Sequence, residues 1–296
     1  MIKDLLRALR LPFIVAGVIP FVFGSLIERC NFNLPAFIFG LFAVSCTHLS
    51  ANLINDYSDA ESGVDAIDAR FFGFFGGSKL IQEGVLSGRS YFAMAVLFGF
   101  IALFSVISLA FLLNGAAVLA YFTAIILLSW AYSVKPLQLA YRGLGEIVVF
   151  ILFGPVPLMG GYYIQSGIFP DIRSFMLSLP FGFLTAAILL ANEAPDVSED
   201  RRAGKRTWAV LAGGKNVFIL YSVLTVLGFA SVFLNISIGY LGIKALPAIF
   251  FIVPALKAAG ILRRDYRNKE KMIVSSRLAI GTQAFAGISL VISLLI

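Results

Sequence analysis

Charged side chains are scarce in this 296-residue chain, where Asp, Glu, Lys and Arg together reach only 13%, against roughly 25% in soluble domains. That shortage excludes a water-soluble enzyme, a disordered chain and a coiled coil. Cysteine is nearly absent as well. Cys30 and Cys46 cannot build a disulfide framework or a zinc site, and both are expected as free thiols. What fills the chain instead is apolar: 59% hydrophobic residues, 29 phenylalanines and a mean hydropathy of +0.93. The composition is that of an all-α polytopic membrane protein. A net charge of +7 does not point to nucleic acid, because no basic domain stands clear of apolar sequence. Lys and Arg beside membrane spans face anionic headgroups, so membrane lipid is the expected partner and nucleic acid is not.

A spanning helix needs about 20 mostly apolar residues. Nine segments meet that length approximately: 11–27, 35–55, 91–113, 115–133, 145–165, 174–192, 217–236, 243–262 and 277–296. The basic N-terminal stretch before the first of these imitates a signal peptide, but no small-residue cleavage site follows, so a retained helix is expected. Nineteen of the 23 Lys and Arg fall in segments that share the N-terminal side, and Arg29, Arg173 and Lys244 fall on the other. The positive-inside rule then places the N-terminus in the cytoplasm and the C-terminus outside, in a multi-pass protein of the cell membrane. The chain reads as one integral-membrane domain over 1–296, with a diverged internal repeat over roughly 1–143 and 144–296.

The carboxylates repeat this asymmetry. They cluster after the second and sixth segments, both on the cytoplasmic side, giving Asp-rich loops. In the first cluster, His48, Asn52, Asn55, Asp56 and Asp59 fall within about 100° of helical arc, one polar stripe. Asp65 lies on the opposite side of a continuous helix, and it joins the stripe only if the chain breaks at Gly63. In the second cluster Asn192, Asp196, Glu199 and Asp200 share one face. Two facing carboxylate stripes repel unless a cation lies between them, and hard oxygen ligands suit Mg²⁺, which completes its shell with water and substrate phosphates. The plain alternative is a pair of solvated helix ends; two equivalent clusters on one side favour the cation site.

These motifs resemble the UbiA superfamily of intramembrane aromatic prenyltransferases, over nearly the whole chain. Asn55-Asp56-Tyr57 with Asp59, Gly63 and Asp65, then Gly76–Lys79, Tyr132 to Glu146, and Gly161 to Gln165 are similar to its menaquinone-type branch, which prenylates dihydroxynaphthoate. Glu193 stands where relatives often have Asn, and 70–75 is unusually aromatic. The resemblance implies Mg²⁺-dependent transfer of a prenyl group from an isoprenyl diphosphate donor, geranyl or longer, to a lipophilic aromatic acceptor. The metal acts as Lewis acid on the departing diphosphate, and Lys or Arg adds charge. Asn55, Asp59, Asp196 and Asp200 are the implied metal contacts, with Asp59, Asp65 and Asp196 catalytic. Asn52, Asp56, Asp65, Lys79, Tyr132, Lys135, Arg142 and Asn192 are the implied substrate contacts. Lys135 and Arg142 read equally well as membrane anchors, and 263–271 reads as such an anchor. Tyr132, Tyr141, Tyr57 and the 71–75 aromatics could face an allylic cation, although aromatics at membrane interfaces are ordinary.

Two other readings stay open. A transporter would carry ionisable groups near the bilayer midplane, whereas here they gather at helix ends. Prenyl transfer to a glycerophosphate lipid, a hydroxybenzoate or a haem would use the same acidic motifs.

Overall fold

The computed structural model describes residues 2–66, 68 and 70–296. Thirteen α-helices and several 3₁₀ turns form it, and no strand occurs among the described residues. The chain opens with α1 (Ile2–Ala8) and α2 (Val15–Leu26) and continues into α3 (Leu34–Glu61). After a long loop come α4 (Gly88–Leu112) and α5 (Ala116–Ala131). The second half holds α6 (Gly145–Phe153), α7 (Pro155–Ser166), α8 (Ile172–Glu193), the short α9 (Val197–Arg202) and α10 (Trp208–Ala212), then α11 (Val217–Ser237), α12 (Ile252–Arg264) and α13 (Lys269–Leu295).

Among the described residues, seven helical segments are long and apolar enough to cross a membrane. The N-terminal pair, bent by 44°, makes an eighth, while α5 is apolar but shorter. The nine expected segments are therefore all present as apolar helices, with differences that have local causes. The fifth is broken between Phe153 and Pro155, since proline lacks the N–H and clashes with the preceding turn. The eighth begins as a 3₁₀ stretch, Ile243–Phe251, around Pro247.

Packing follows small residues rather than hydrophobicity, because lipid is as apolar as any core. On α4 the buried face is Tyr91, Ala95, Ala102, Val106 and Leu109, while Leu97, Phe100, Phe104 and Phe111 are exposed, as lipid-facing side chains are. Helix α2 meets α7 so closely that a Cβ on Gly161 would stand 2.4 Å from the Phe21 carbonyl oxygen, and one on Gly24 would stand 2.0 Å from that of Leu158. At the α6–α7 break, a Cβ on Gly154 would meet the Gly182 backbone at 2.6 Å. These contacts bring α2 and α6 against α8, the most buried of the spans.

Helix α3 positions the first motif by its length. It starts firmly, with the Asn33 side chain accepting from the Ala36 N–H at 3.0 Å and Pro35 in its first turn. Its 28 residues rise about 42 Å at 1.5 Å each, against about 30 Å of hydrocarbon. The last turns, from Asn55 onward, therefore overhang the apolar layer. Overpacking a tight helix crossing costs about 1–3 kcal/mol. Gly161→Ala is expected to lower the thermal unfolding midpoint in detergent, whereas Gly260→Ala, with nothing within 4 Å of its Cβ position, is expected to leave it unchanged or raise it. Equal midpoints for the two variants would contradict the close α2–α7 contact.

Candidate active site

The two acidic stripes face one another across the loop that joins α3 to α4. The chain breaks after α3 at Gly63, whose φ of +77° suits glycine, and Asp65 follows in a 3₁₀ turn. That break swings Asp65 onto the side of Asp56 and Asp59. On the other side α8 ends at Glu193, Pro195 sits in a 3₁₀ turn, and α9 carries Glu199 and Asp200.

Gly76 and Gly77 thread between the stripes. A Cβ at Gly77 would fall 2.8 Å from Asp65 Oδ2 and 3.3 Å from Asp56 Oδ1, and one at Gly76 would touch Asp196 Oδ2 at 3.6 Å. Both have positive φ, which favours glycine, and at Gly77 the space is tight as well. The Ser78 N–H then donates to Asp56 Oδ2 at 3.1 Å. Buried Lys79, itself at a φ of 61°, donates to Asp65 Oδ1 at 2.8 Å and to the Asp65 carbonyl at 3.1 Å.

Other cations neutralise the remaining carboxylates. Lys205 Nζ lies 3.1 Å from Asp59 Oδ2 and 3.6 Å from Asp200 Oδ1, joining the two stripes. Lys269, at the start of α13, reaches Asp68, Asp196 and Glu199 at 3.1, 3.3 and 3.2 Å. Arg10 stands 3.4 Å from Asp56. Tyr141 donates to Asp59 Oδ1 at 2.7 Å. Burial pushes the Asp65 carboxyl up, to about 7, with Asp59 adding to it and Lys79 opposing it. Burial alone would lower Lys205, but Asp59 and Asp200 more than offset it and hold its ammonium charged. Asp68 is held well below the usual carboxylate range, chiefly by the hydrogen bond from Arg70.

Two cavities meet here. The polar one, of about 120 Å³, is lined by Asp59, Asp65, Asp196, Asp200, Lys79 and Lys205 among others. The apolar one, of about 220 Å³, runs between α2, α3, α5, α6, α7, α8 and α13 past Phe122, Leu152, Phe153 and Ile188. That volume is roughly fifteen times what one water requires. Arg10, Asn55, Tyr132, Leu189 and Asn192 line both.

Of the sequence-predicted residues, Asn55, Asp59, Asp65, Lys79, Tyr132, Asn192, Asp196 and Asp200 line the polar cavity. Asn52 lines the apolar one and donates to the Leu9 carbonyl at 3.3 Å. Asp56 is buried behind the loop. Lys135 and Arg142 line neither cavity: both are exposed, and Arg142 is turned onto the Pro136 carbonyl at 2.7 Å. The loop bearing them delivers Tyr141 instead. The expected anchor segment 263–271 also divides, since Lys269 belongs to the carboxylate cluster. Arg10, Lys205 and Lys269 are thus the site residues that sequence reasoning did not assign. Lys205 carried a signal, standing five residues after Asp200 in the same motif; Lys269 carried none.

The donor set is carboxylate and amide oxygen, which suits a hard divalent cation. Asn192 Oδ1 is buried at the cavity wall with no hydrogen-bond partner, an oxygen left for such a ligand. Among the described residues no three His, Cys, Asp or Glu side chains already converge on one point; ammonium groups stand between them.

A bundle of membrane helices with facing carboxylate stripes at one end and an apolar chamber beneath has the architecture of an intramembrane enzyme. The chain belongs to the UbiA prenyltransferase family, whose sequence profile matches residues 17–280, and it is a prenyltransferase. It is 28% identical over 302 residues to the UbiA prenyltransferase domain-containing protein 1 homolog of Drosophila melanogaster, covering 99% of this chain and 79% of that one. It is 25% identical to the 1,4-dihydroxy-2-naphthoate octaprenyltransferase of Bacillus subtilis, covering 96% and 89%. The fold matches a UbiA homolog from Aeropyrum pernix K1 with a TM-score of 0.74 at 17% identity, covering 94% and 97%. It also matches a UbiA homolog from Archaeoglobus fulgidus bound to DMAPP and Mg²⁺, with a TM-score of 0.66 at 16% identity, covering 96% and 98%.

The packing around Gly77 generates a test. Gly77→Ala is expected to abolish donor binding, because the added methyl strikes Asp65 and the backbone resists. Wild-type affinity for a labelled isoprenyl diphosphate in the folded variant would show that the loop does not shape the site.

Proposed function

We propose that this protein transfers a prenyl group, geranyl or longer, from an isoprenyl diphosphate to a lipophilic aromatic acceptor of the quinone-precursor type. The observation that carries this reading is the junction of the two cavities. A carboxylate-lined space opens through Arg10, Asn55, Tyr132, Leu189 and Asn192 onto an apolar one. An allylic diphosphate has the same two-part form. Its head would lie among Asp59, Asp65, Asp196 and Asp200 and its tail among Phe122, Phe153 and Ile188. The reacting carbon then falls at the junction, beside Tyr132 and Asn55. There the allylic C–O bond breaks, the acceptor ring forms the new C–C bond, and the ring gives up a proton as diphosphate leaves.

Asn55, Asp59, Asp196 and Asp200 are the residues that would hold Mg²⁺, with Asp56 and Asp65 supporting them. A divalent cation held there would supply Lewis acidity to the leaving diphosphate. Asn55 is fixed by donating its amide to Ser133 Oγ at 3.0 Å, which turns its carbonyl oxygen free for a ligand. Lys79 and Lys205 add positive charge where the leaving group gains negative charge. Several relatives are named for 1,4-dihydroxy-2-naphthoate or 2-carboxy-1,4-naphthoquinone, which supports a bicyclic aromatic acceptor here. The excess of Lys and Arg on one side supports a cytoplasmic site in the cell membrane. Ser62→Cys and Ala203→Cys should accordingly be labelled by an impermeant thiol reagent only from that side.

Asp59→Ala and Asp196→Ala are each expected to lower turnover by at least 10³-fold while the protein stays folded, and EDTA should do the same. An in-vitro transfer assay with labelled geranyl diphosphate and a panel of naphthoate, hydroxybenzoate and glycerophosphate acceptors decides the reading. Full activity in EDTA, or transfer only to the glycerophosphate, would overturn it.

Cation binding competes with protons for the same carboxylates. Burial holds the Asp65 carboxyl up, to about 7, so falling pH favours its protonated form. Mg²⁺-dependent donor binding should therefore weaken steadily from pH 7.5 to pH 5.5. A flat profile in equilibrium binding across that window would exclude Asp65 from the cation site.

A further inference from the structure

The carboxylates proposed to hold a divalent cation already have cations. Lys205 straddles the gap between Asp59 and Asp200. Lys269 gathers Asp68, Asp196 and Glu199 about one ammonium. Both side chains are mostly buried, 11% and 17% exposed, and each lies over an aromatic ring, Tyr141 at 4.7 Å and Phe72 at 5.4 Å. They are not peripheral anchors.

Each lysine engages one oxygen of the carboxylates proposed to hold the cation: Lys205 takes Asp59 Oδ2 and Asp200 Oδ1, and Lys269 takes Asp196 Oδ1. Mg²⁺ binds carboxylate oxygen at 2.0–2.1 Å, which would put it within a few ångströms of a lysine nitrogen that is itself about 3 Å from the same group. In a partly dehydrated site such like-charge contact is strongly unfavourable. Repulsion therefore favours each lysine leaving its carboxylates as the cation enters. They need an anion to move to, since a buried ammonium without a partner is costly. A diphosphate supplies several acceptor oxygens and net negative charge, and the long flexible lysine stem can follow it.

We propose that Lys205 and Lys269 close the cation positions in the donor-free protein and move onto the diphosphate oxygens when donor arrives. Metal and diphosphate then bind as a coupled pair, and neither binds tightly alone. This rests on the donor site proposed above and adds to it Lys269 as a diphosphate-binding residue, the movement of both lysines, and an order of events. The coupling is reciprocal by linkage: whatever factor diphosphate adds to metal affinity, metal adds to diphosphate affinity.

The test is calorimetric titration of the full-length protein in detergent with Mg²⁺ alone, with inorganic diphosphate alone, and with each in the presence of the other. In the wild type, diphosphate is expected to tighten Mg²⁺ binding at least tenfold. Lys269→Met and Lys205→Met remove the competing charge. Each should tighten the binding of Mg²⁺ alone about tenfold, weaken diphosphate binding at saturating Mg²⁺, and shrink the coupling. Lys269→Arg should keep it. A lysine that only held the fold together would give the opposite sign, so unchanged or weaker binding of Mg²⁺ alone in both Met variants would overturn the proposal.

Thermal unfolding guards against a variant that is merely destabilised. Mg²⁺ alone should raise the midpoint of Lys269→Met by mass action and leave the wild type unmoved; a variant that Mg²⁺ fails to stabilise counts against the proposal. Wild-type protein that binds Mg²⁺ and diphosphate without coupling would sink this inference and leave the donor site standing. Wild-type protein that binds neither, alone or together, would remove the donor site itself.

Discussion

Repulsion between two sets of carboxylates on opposing helix ends is the constraint around which this end of the molecule is built. Asp59 and Asp65, with Asp56 buried behind them, face Asp196, Glu199 and Asp200 across a space of about 120 Å³, at the edge of a low-dielectric layer. Charges of one sign that close are tolerable only with cations among them. The protein supplies those cations from distant parts of the chain: Arg10 from the start, Lys79 from the first loop, Lys205 from the second, Lys269 from the last helix. Each link ties a different segment to the same small volume. The site is thus also the clasp that fixes how the helices meet at this end of the bundle.

The chamber beneath obeys the opposite logic. Its walls come from α2, α3, α5, α6, α7, α8 and α13, and close helix approaches at Gly24, Gly154 and Gly161 set its shape. No hydrophobic effect drives those helices together inside lipid. Shape complementarity and backbone proximity do that work, so a single methyl group at a crossing matters more than a larger change on the lipid-facing side. Placing a charge-rich space directly against an apolar one, with five residues shared between them, gives an amphiphilic substrate one way to lie.

Much of this was legible in the residues. The helical content, the apolar segments and the two polar stripes follow from composition and the 100° repeat. Even the break that brings Asp65 into line was implied by its position off the stripe and by Gly63. What could not be read was the pairing of charges. A lysine that anchors a helix to headgroups and a lysine that clasps three carboxylates have the same sequence surroundings. Lys135 and Arg142, close to the motif, turn outward; Lys269, some 70 residues from the nearest acidic motif, turns in. Only the arrangement of helices decides between them. The role of Tyr141 was hidden for the same reason, since its hydroxyl finds Asp59 through tertiary contact and not through spacing.

The overhang of α3 carries a consequence of another kind. Its 28 residues exceed the bilayer's hydrocarbon by roughly 12 Å, and the acidic stripe occupies that excess. The position of the stripe relative to the membrane surface is then set by bilayer thickness. A thicker bilayer draws Asn55 and Asp56 toward hydrocarbon and raises the cost of keeping carboxylates ionised; a thinner one lifts the mouth of the chamber into water. Hydrophobic mismatch of a few ångströms costs only fractions of a kcal/mol per ångström for the fold, yet it acts here on the most charge-sensitive part of the molecule. Lipid chain length becomes an adjustable parameter of the site, readable as an optimum in vesicles of graded acyl length.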